Sequence, residues 1–190
     1  MSEEEGWVDI RKLPKLRFDA ATKAMAKHLK SSDFSSREDA ATTLGSVNTL
    51  QRINLAGFIT TNSQEGVISK DIRERAYLSG WMRKKRATEF TEWINLNTDK
   101  VAWVVAAGTG PEHYVGIAVT AQREKSKWRQ FSSLTWAAPK DVIAGQKKDA
   151  RLAAREDAVW IETFDPTYGR SASSNSGLYS DILKGLHRCR

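Results

Sequence analysis

The sequence predicts one α/β or α+β domain, a mixed β-sheet flanked by helices, with an extended N-terminal arm. Three observations carry that prediction. Stretches with helical spacing of apolar residues alternate with stretches of two-residue period. Gly57 is followed at once by Phe58-Ile-Thr-Thr, a helix-to-strand connection of minimal length. The 190 residues, 40% apolar and 28% charged, suit a single compact unit and are too hydrophobic for wholesale disorder.

In chain order, residues 1–18 read as the arm: an acidic tip, then Trp7, Ile10 and Leu13, which need a body to rest on. Residues 19–190 read as the domain. With Asp19 as N-cap, residues 20–30 put Ala21, Met25 and Leu29 on one helical face and Lys23, Lys27 and Lys30 on the other. Ser35, three residues before Glu38, has capping-box spacing and opens a second helix that runs to Leu55, with Gly57 past its end. A strand starts at Phe58. Residues 75–82 alternate, with Ala76, Leu78 and Met82 on one side and Tyr77, Ser79 and Trp81 on the other, which predicts a strand over the competing helix at 71–82. Residues 84–97 form a helix through Ala87, Phe90 and Ile94. The unbroken apolar run 101–107 predicts a central strand covered on both faces. Gly108-Thr-Gly110 turns the chain, 114–122 and 128–137 pair as a hairpin, 144–154 is a helix, 158–164 a strand and 165–169 a turn. A small-residue loop at 171–177 precedes a last helix at 178–186. Trp93, Trp103 and Trp160 fall in apolar periodic segments and belong to the core.

Composition narrows the chemistry. The longest apolar run has seven residues, where a membrane-spanning helix needs about 20. The acidic N-terminus argues against classical secretion and for an intracellular, cytoplasmic location. The single cysteine, Cys189, forms neither an intramolecular disulfide nor a thiolate metal cage, and His28, His113 and His187 lack metal-ligand spacing. No metal or cofactor is expected. A dinucleotide loop beginning at Gly108 needs glycine at position 113, which is His113. Glu162 and Asp165, three apart at a strand end, point to opposite faces.

Two groups of residues remain as candidates. The segment after Phe58 supplies Thr60, Ser63 and Gln64, uncharged donors and acceptors suited to sugars, amides or peptide backbone; with Arg75, His113, Asp165 and Arg170 they form a candidate ligand-binding set. The cations Arg83, Lys84, Lys85 and Arg86, and the comb Arg123, Lys125, Lys127 and Arg129, form a candidate contact surface. An extended chain projects that comb to one side. The net charge of +7 divides as +3 and +4 between the two halves, so there is no basic tail.

The blocks Asn54-x-x-Gly57-Phe58-x-Thr60-x-x-Ser63-Gln64-x-Gly66, Arg75-Ala76 with Gly80, and Asp165-Pro166-x-Tyr168-Gly169-Arg170 resemble an uncharacterised domain family. It is a domain of unknown function seen in actinobacteria, their phages and large DNA viruses of algae. The resemblance spans about residues 36–186, with Glu65 where such proteins usually carry proline. It implies no reaction. It implies that Thr60, Ser63, Gln64, Arg75, Asp165 and Arg170 share one surface or pocket, with Asp165–Arg170 first of all a structural ion pair. The expected function is a non-catalytic interaction or structural protein, for example a minor capsid or virion-associated component of a DNA virus, whose partners are other proteins such as capsid subunits. Two alternatives are a small-molecule-binding domain or enzyme around Ser63 and Gln64, and a nucleic-acid-binding protein.

Overall fold

A computed structural model describes residues 17–29, 46–105, 117–124, 127–134 and 158–189. Its elements are α1 (Phe18–His28), α2 (Val47–Leu55), β1 (Ile59–Gln64), β2 (Ile72–Arg83), α3 (Lys84–Asn97), β3 (Val101–Val105), β4 (Ile117–Glu124), β5 (Lys127–Leu134), β6 (Ala158–Tyr168) and α4 (Leu178–Arg188). The sheet runs β3-β6-β2-β4-β5, with β1 also on β2. Every described pairing is antiparallel, so of the two fold classes the α+β one holds. The βαβ rhythm of the sequence has a physical source. β2 and β3, joined by α3, run parallel, but β6 inserts antiparallel between them as a split βαβ unit.

The alternation read from 75–82 sorts the two faces of β2. Ala76, Leu78 and Met82 join Leu50 and Ile53 of α2, Ala87, Phe90 and Ile94 of α3, and Tyr179, Ile182 and Leu186 of α4 in the main core. Tyr77 and Trp81 occupy the other face. There α1 lays Phe18, Ala21 and Met25 over Ile59, Trp81 and Trp160. Trp81 and Trp160 meet edge to face at 5.3 Å. At Gly80 a side chain would overlap the Ile59 carbonyl, so the β1–β2 approach demands glycine there.

Three boundaries differ from the sequence reading. Asp19 lies inside α1, behind Arg17 as N-cap, because its carboxylate reaches out to Arg83 at 3.1 Å. Among the described strands β3 ends the order and is not central. Its run lacks alternation because both faces are apolar: Ala102 and Val104 meet the main core, Val101 and Trp103 meet Phe164. Asn95 closes its outer edge, accepting from the Ala102 N–H at 2.9 Å and donating to the Ala102 carbonyl at 2.8 Å. Finally, residues 165–168 are strand, not turn. Tyr77 pairs with Phe164 and Arg75 with Tyr168, so Asp165, Pro166 and Thr167 bulge opposite Ala76. The arm up to residue 16, the start of the second helix at 35–45, the 108–111 turn and the 144–154 helix lie outside the described residues.

Arg86 knots the helices together. Its guanidinium donates to the carbonyls of Ala56 and Leu186 and, at 2.6 Å, of Cys189, closing the C-terminal ends of α2 and α4 at once. Gly57, at φ +95°, leaves the room that this side chain fills. Arg86→Lys keeps the charge and loses the planar fork, so urea unfolding is expected to show a loss of about 2 kcal/mol. An unchanged midpoint would show that the fork contributes nothing.

Candidate functional site

The first sequence block is a clasp between α2 and β1. Asn54 Nδ2 donates to the Leu50 carbonyl and to Thr60 Oγ1, both at 2.8 Å, and Asn54 Oδ1 accepts from the Thr60 N–H at 3.0 Å. Both residues are fully buried, so Thr60 holds the turn and presents nothing to a ligand. Ser63 sits near the buried phenol of Tyr179, whose ionisation is pushed up by burial and then by the charge of Glu65. Gln64 Nε2 donates to the Arg75 carbonyl at 3.2 Å.

The segment after Phe58 and the segment after Asp165 do converge, at Glu65. Its carboxylate accepts from the Ser46 hydroxyl at 2.5 Å, the Ser171 hydroxyl at 3.2 Å and the Ala172 N–H at 2.6 Å. Thus Glu65 ties the start of α2 to the loop before α4. Arg75 donates to the Pro166 carbonyl at 3.0 Å and lies 4.1 Å from the Tyr168 ring centre. Gln64, Arg75, Asp165 and Arg170 therefore gather around the β6 bulge, with Thr60 behind them in the clasp; His113 lies outside the described residues.

Inside the bulge is an ion cluster. Asp165 Oδ1 accepts from the Thr167 N–H at 2.8 Å, and Oδ2 faces Lys100 Nζ and Arg170 Nε, each at 3.3 Å. The expected Asp165–Arg170 pair is present, but its centre is Lys100. The Lys100 side chain has no exposed surface; Asp99 bonds it and Asp181 Oδ2 stands 3.8 Å away. Arg170 also holds Asp99 at 2.5 Å, and Lys184 holds Asp181 at 2.8 Å. Hydrogen bonds from Lys100 and then Arg170 hold the Asp99 carboxyl down at about 2. Three cations and three carboxylates alternate through β3, β6 and α4.

The basic run is divided by structure. Arg83 pairs with Asp19 and lies over Phe18, Arg86 is the helix knot, and Lys84 and Lys85 are exposed. The comb is split by its own turn. The hairpin reverses between Glu124 and Lys127, and cross-strand partners share a face. Arg123, paired with Trp128, therefore stands opposite to Lys127 and Arg129, paired with Glu124 and Gln122. Lys125 lies outside the described residues.

Glu162 is the residue that sequence reasoning passed over as a binding group. Register places it between Ser79 of β2 and Trp103 of β3. Trp160 and Phe164 flank it along β6, on the face away from Asp165. Its Oε1 accepts from the Trp160 indole N–H at 3.0 Å, while Oε2 is buried with no hydrogen-bond partner among the described residues. Burial raises its carboxyl to about 7, against the lowering pull of the indole. Tyr77 is pushed up by burial, then by the charges of Glu162 and Glu74. The signal was available: Trp160-Ile-Glu162-Thr-Phe164 in a strand puts one acid on an aromatic stripe.

These features define an α+β domain whose polar blocks are structural clasps and whose acid stands apart on an aromatic sheet face. The profile of the family described as "Domain of unknown function (DUF6919)" matches residues 14–188, and the chain belongs to that family. The match begins well before residue 36, so α1 is part of the family domain. No curated protein matches this sequence.

Removing one partner from the buried cluster leaves uncompensated charge. Lys100→Met is expected to cost about 3–5 kcal/mol in denaturant unfolding, with part restored by adding Asp165→Asn. Glu162 acts with the opposite sign to a salt-bridged acid. Its raised folded-state value means that the stability it contributes is present below about 4.5 and lost as pH rises through about 7. Glu162→Gln, which still accepts from Trp160, should therefore gain on the native protein between pH 4.5 and 8, by roughly 2–3 kcal/mol in total. A pH-independent difference between the two proteins would refute this.

Proposed function

We propose that the chain is an interaction protein that docks an acidic protein partner through the end of its β1–β2 hairpin. The observation that carries this reading is the exposure of Val67 and Ile72 on one face of the hairpin end and of Ile68, 61% exposed, beside Arg73 on the other. Clusters of exposed apolar side chains mark contact surfaces more often than isolated ones do. The hairpin continues past β1 through the Val67–Glu74 backbone bonds and turns at Ser69, whose N–H donates to the Ile72 carbonyl at 2.8 Å. β4 joins the same end, pairing Ile72 with Gln122, and the Arg123 N–H donates to the Asp71 carbonyl at 2.7 Å. That adds exposed cations on both faces of this end, Arg73 and Arg123 on the side of Ile68 and Lys127 and Arg129 on the side of Ile72, with Lys70 at the turn. Such a rim favours an acidic surface and speeds its approach. Association with a virus particle, as a minor capsid-associated component, is the finer form of this reading and rests on the viral members of the family that the sequence resembles.

A photo-crosslinking side chain at position 72 should trap one acidic protein in the native host or particle, and the same group at Lys84, on the exposed start of α3, should not. Ile68→Asp should abolish the crosslink while changing the melting temperature little, since the side chain is mostly exposed. Equal trapping at both positions, or trapping that persists in Ile68→Asp, would remove the hairpin end as the contact.

A further inference from the structure

The Glu162 face carries an inference independent of the hairpin end. Five features stand together there. A carboxylate sits at the middle of a sheet face whose neighbours are aromatic, with Trp160 and Phe164 along its own strand and Trp103 across from it on β3. Tyr77, which pairs with Phe164, adds a fourth ring on β2. Trp103 and Phe164 are already set edge to face, 5.4 Å between centres, so their positions are fixed by each other. One carboxylate oxygen is held by the Trp160 indole, which orients the group. The other oxygen is buried and has no partner among the described residues. A buried acceptor left open costs about 1–3 kcal/mol; the Glu65 carboxylate is by contrast met by donors, and Asp165 Oδ2, also without a hydrogen bond, at least faces the cations Lys100 and Arg170.

The chemistry that completes such a site is a compact organic cation. An alkylammonium group offers an N–H donor to the open oxygen and a positive charge to the carboxylate, while its methylenes and charge lie well against aromatic faces. A neutral apolar ligand would leave the oxygen unpaired, and an anion would face a like charge. The net charge of +7 does not forbid a cation, because exposed charges beyond a Debye length of ~8 Å are largely screened at physiological salt. We propose that the sheet face around Glu162, walled by Tyr77, Trp103, Trp160 and Phe164, is a binding site for a small organic cation of the alkylammonium type. Trp160 is then a positioning residue that sets the angle of the carboxylate, and α1 packs on Trp160 and Trp81 beside it.

The test uses the full chain and two probes: n-butylammonium and 1-butanol, its neutral counterpart. Calorimetric titration at pH 8 is paired with two-dimensional NMR of the tryptophan indole N–H signals. Saturable binding of a cation is expected, with the Trp160 indole signal moving and the neutral alcohol at least tenfold weaker. Glu162→Gln should weaken the cation at least tenfold and leave the alcohol unchanged. Trp103→Leu, which keeps the carboxylate, gives a second route and should weaken the cation several-fold. Both variants are compared at matched helical circular dichroism. Equal affinity for n-butylammonium and 1-butanol, cation binding that survives Glu162→Gln, or no saturation by n-butylammonium would overturn the proposal. The hairpin crosslink does not involve this face, so either result stands without the other.

Discussion

The arrangement rests on a lysine carried into the interior. Lys100 stands at the entrance to β3 with no exposed side-chain surface, and burying an ammonium without partners costs several kcal/mol. Asp165 reaches it only because β6 bulges, Asp181 reaches it only because α4 lies across the end of the sheet, and Asp99 is its chain neighbour. The charge requirement of one side chain therefore constrains the register of β6, the seat of α4 and the start of β3 together. Arg170 and Lys184 then neutralise the excess carboxylates from outside. A cluster of this kind yields little net stability compared with an apolar core, and its effect is to penalise every other arrangement of those three elements.

The same logic accounts for much of the basic composition. Arg86 closes two helix ends, Arg83 holds α1, Arg75 spans the β6 bulge, and Arg170 and Lys100 belong to the cluster. Each of these arginines is used where planar, multiple donors count, against backbone carbonyls or carboxylates. The exposed cations include the lysines at 23, 27, 70, 84 and 85 and the arginines at 73, 123 and 129, and these carry the field that a partner would feel.

The fold was legible where periodicity reports burial directly. α3 and α4 follow from helical spacing because each presents one face to the main core, and β2 from an alternation that sends Ala76, Leu78 and Met82 to that core and Tyr77 and Trp81 to the other face. The position of β3 was not legible, because a strand whose two faces are both apolar reads the same at the edge of a sheet as at its centre. Nor was the strand at 165–168: a Pro-containing stretch after a strand ordinarily leaves the sheet, and only the pairing of Arg75 with Tyr168, distant in sequence, keeps it in. The ligand candidates were chosen for polarity, and polarity does not distinguish a side chain that waits for a ligand from one that completes a turn. Thr60 bonds Asn54 within the clasp, and Asp165 accepts from the Thr167 N–H inside the bulge. The reverse signal, an isolated acid in a stripe of aromatic residues, was in plain view at Glu162.

That contrast separates the two faces of the sheet. On the side of α2, α3 and α4, buried polar groups complete the architecture: Asn54 binds Thr60, Thr163 donates to the Leu78 carbonyl at 2.8 Å, and Lys100 gathers its aspartates. On the side of α1 the rings are paired with one another, and Glu162 is half satisfied. Its carboxyl titrates near neutrality because its burial is opposed only by the indole hydrogen bond. A purely structural role for Glu162 would be filled better by glutamine or methionine, which keep the volume without the penalty of charge above pH 7. Cores tolerate such a mismatch when the group does something for which the neutral residue is inadequate, and the property that glutamate adds here is negative charge among aromatic rings.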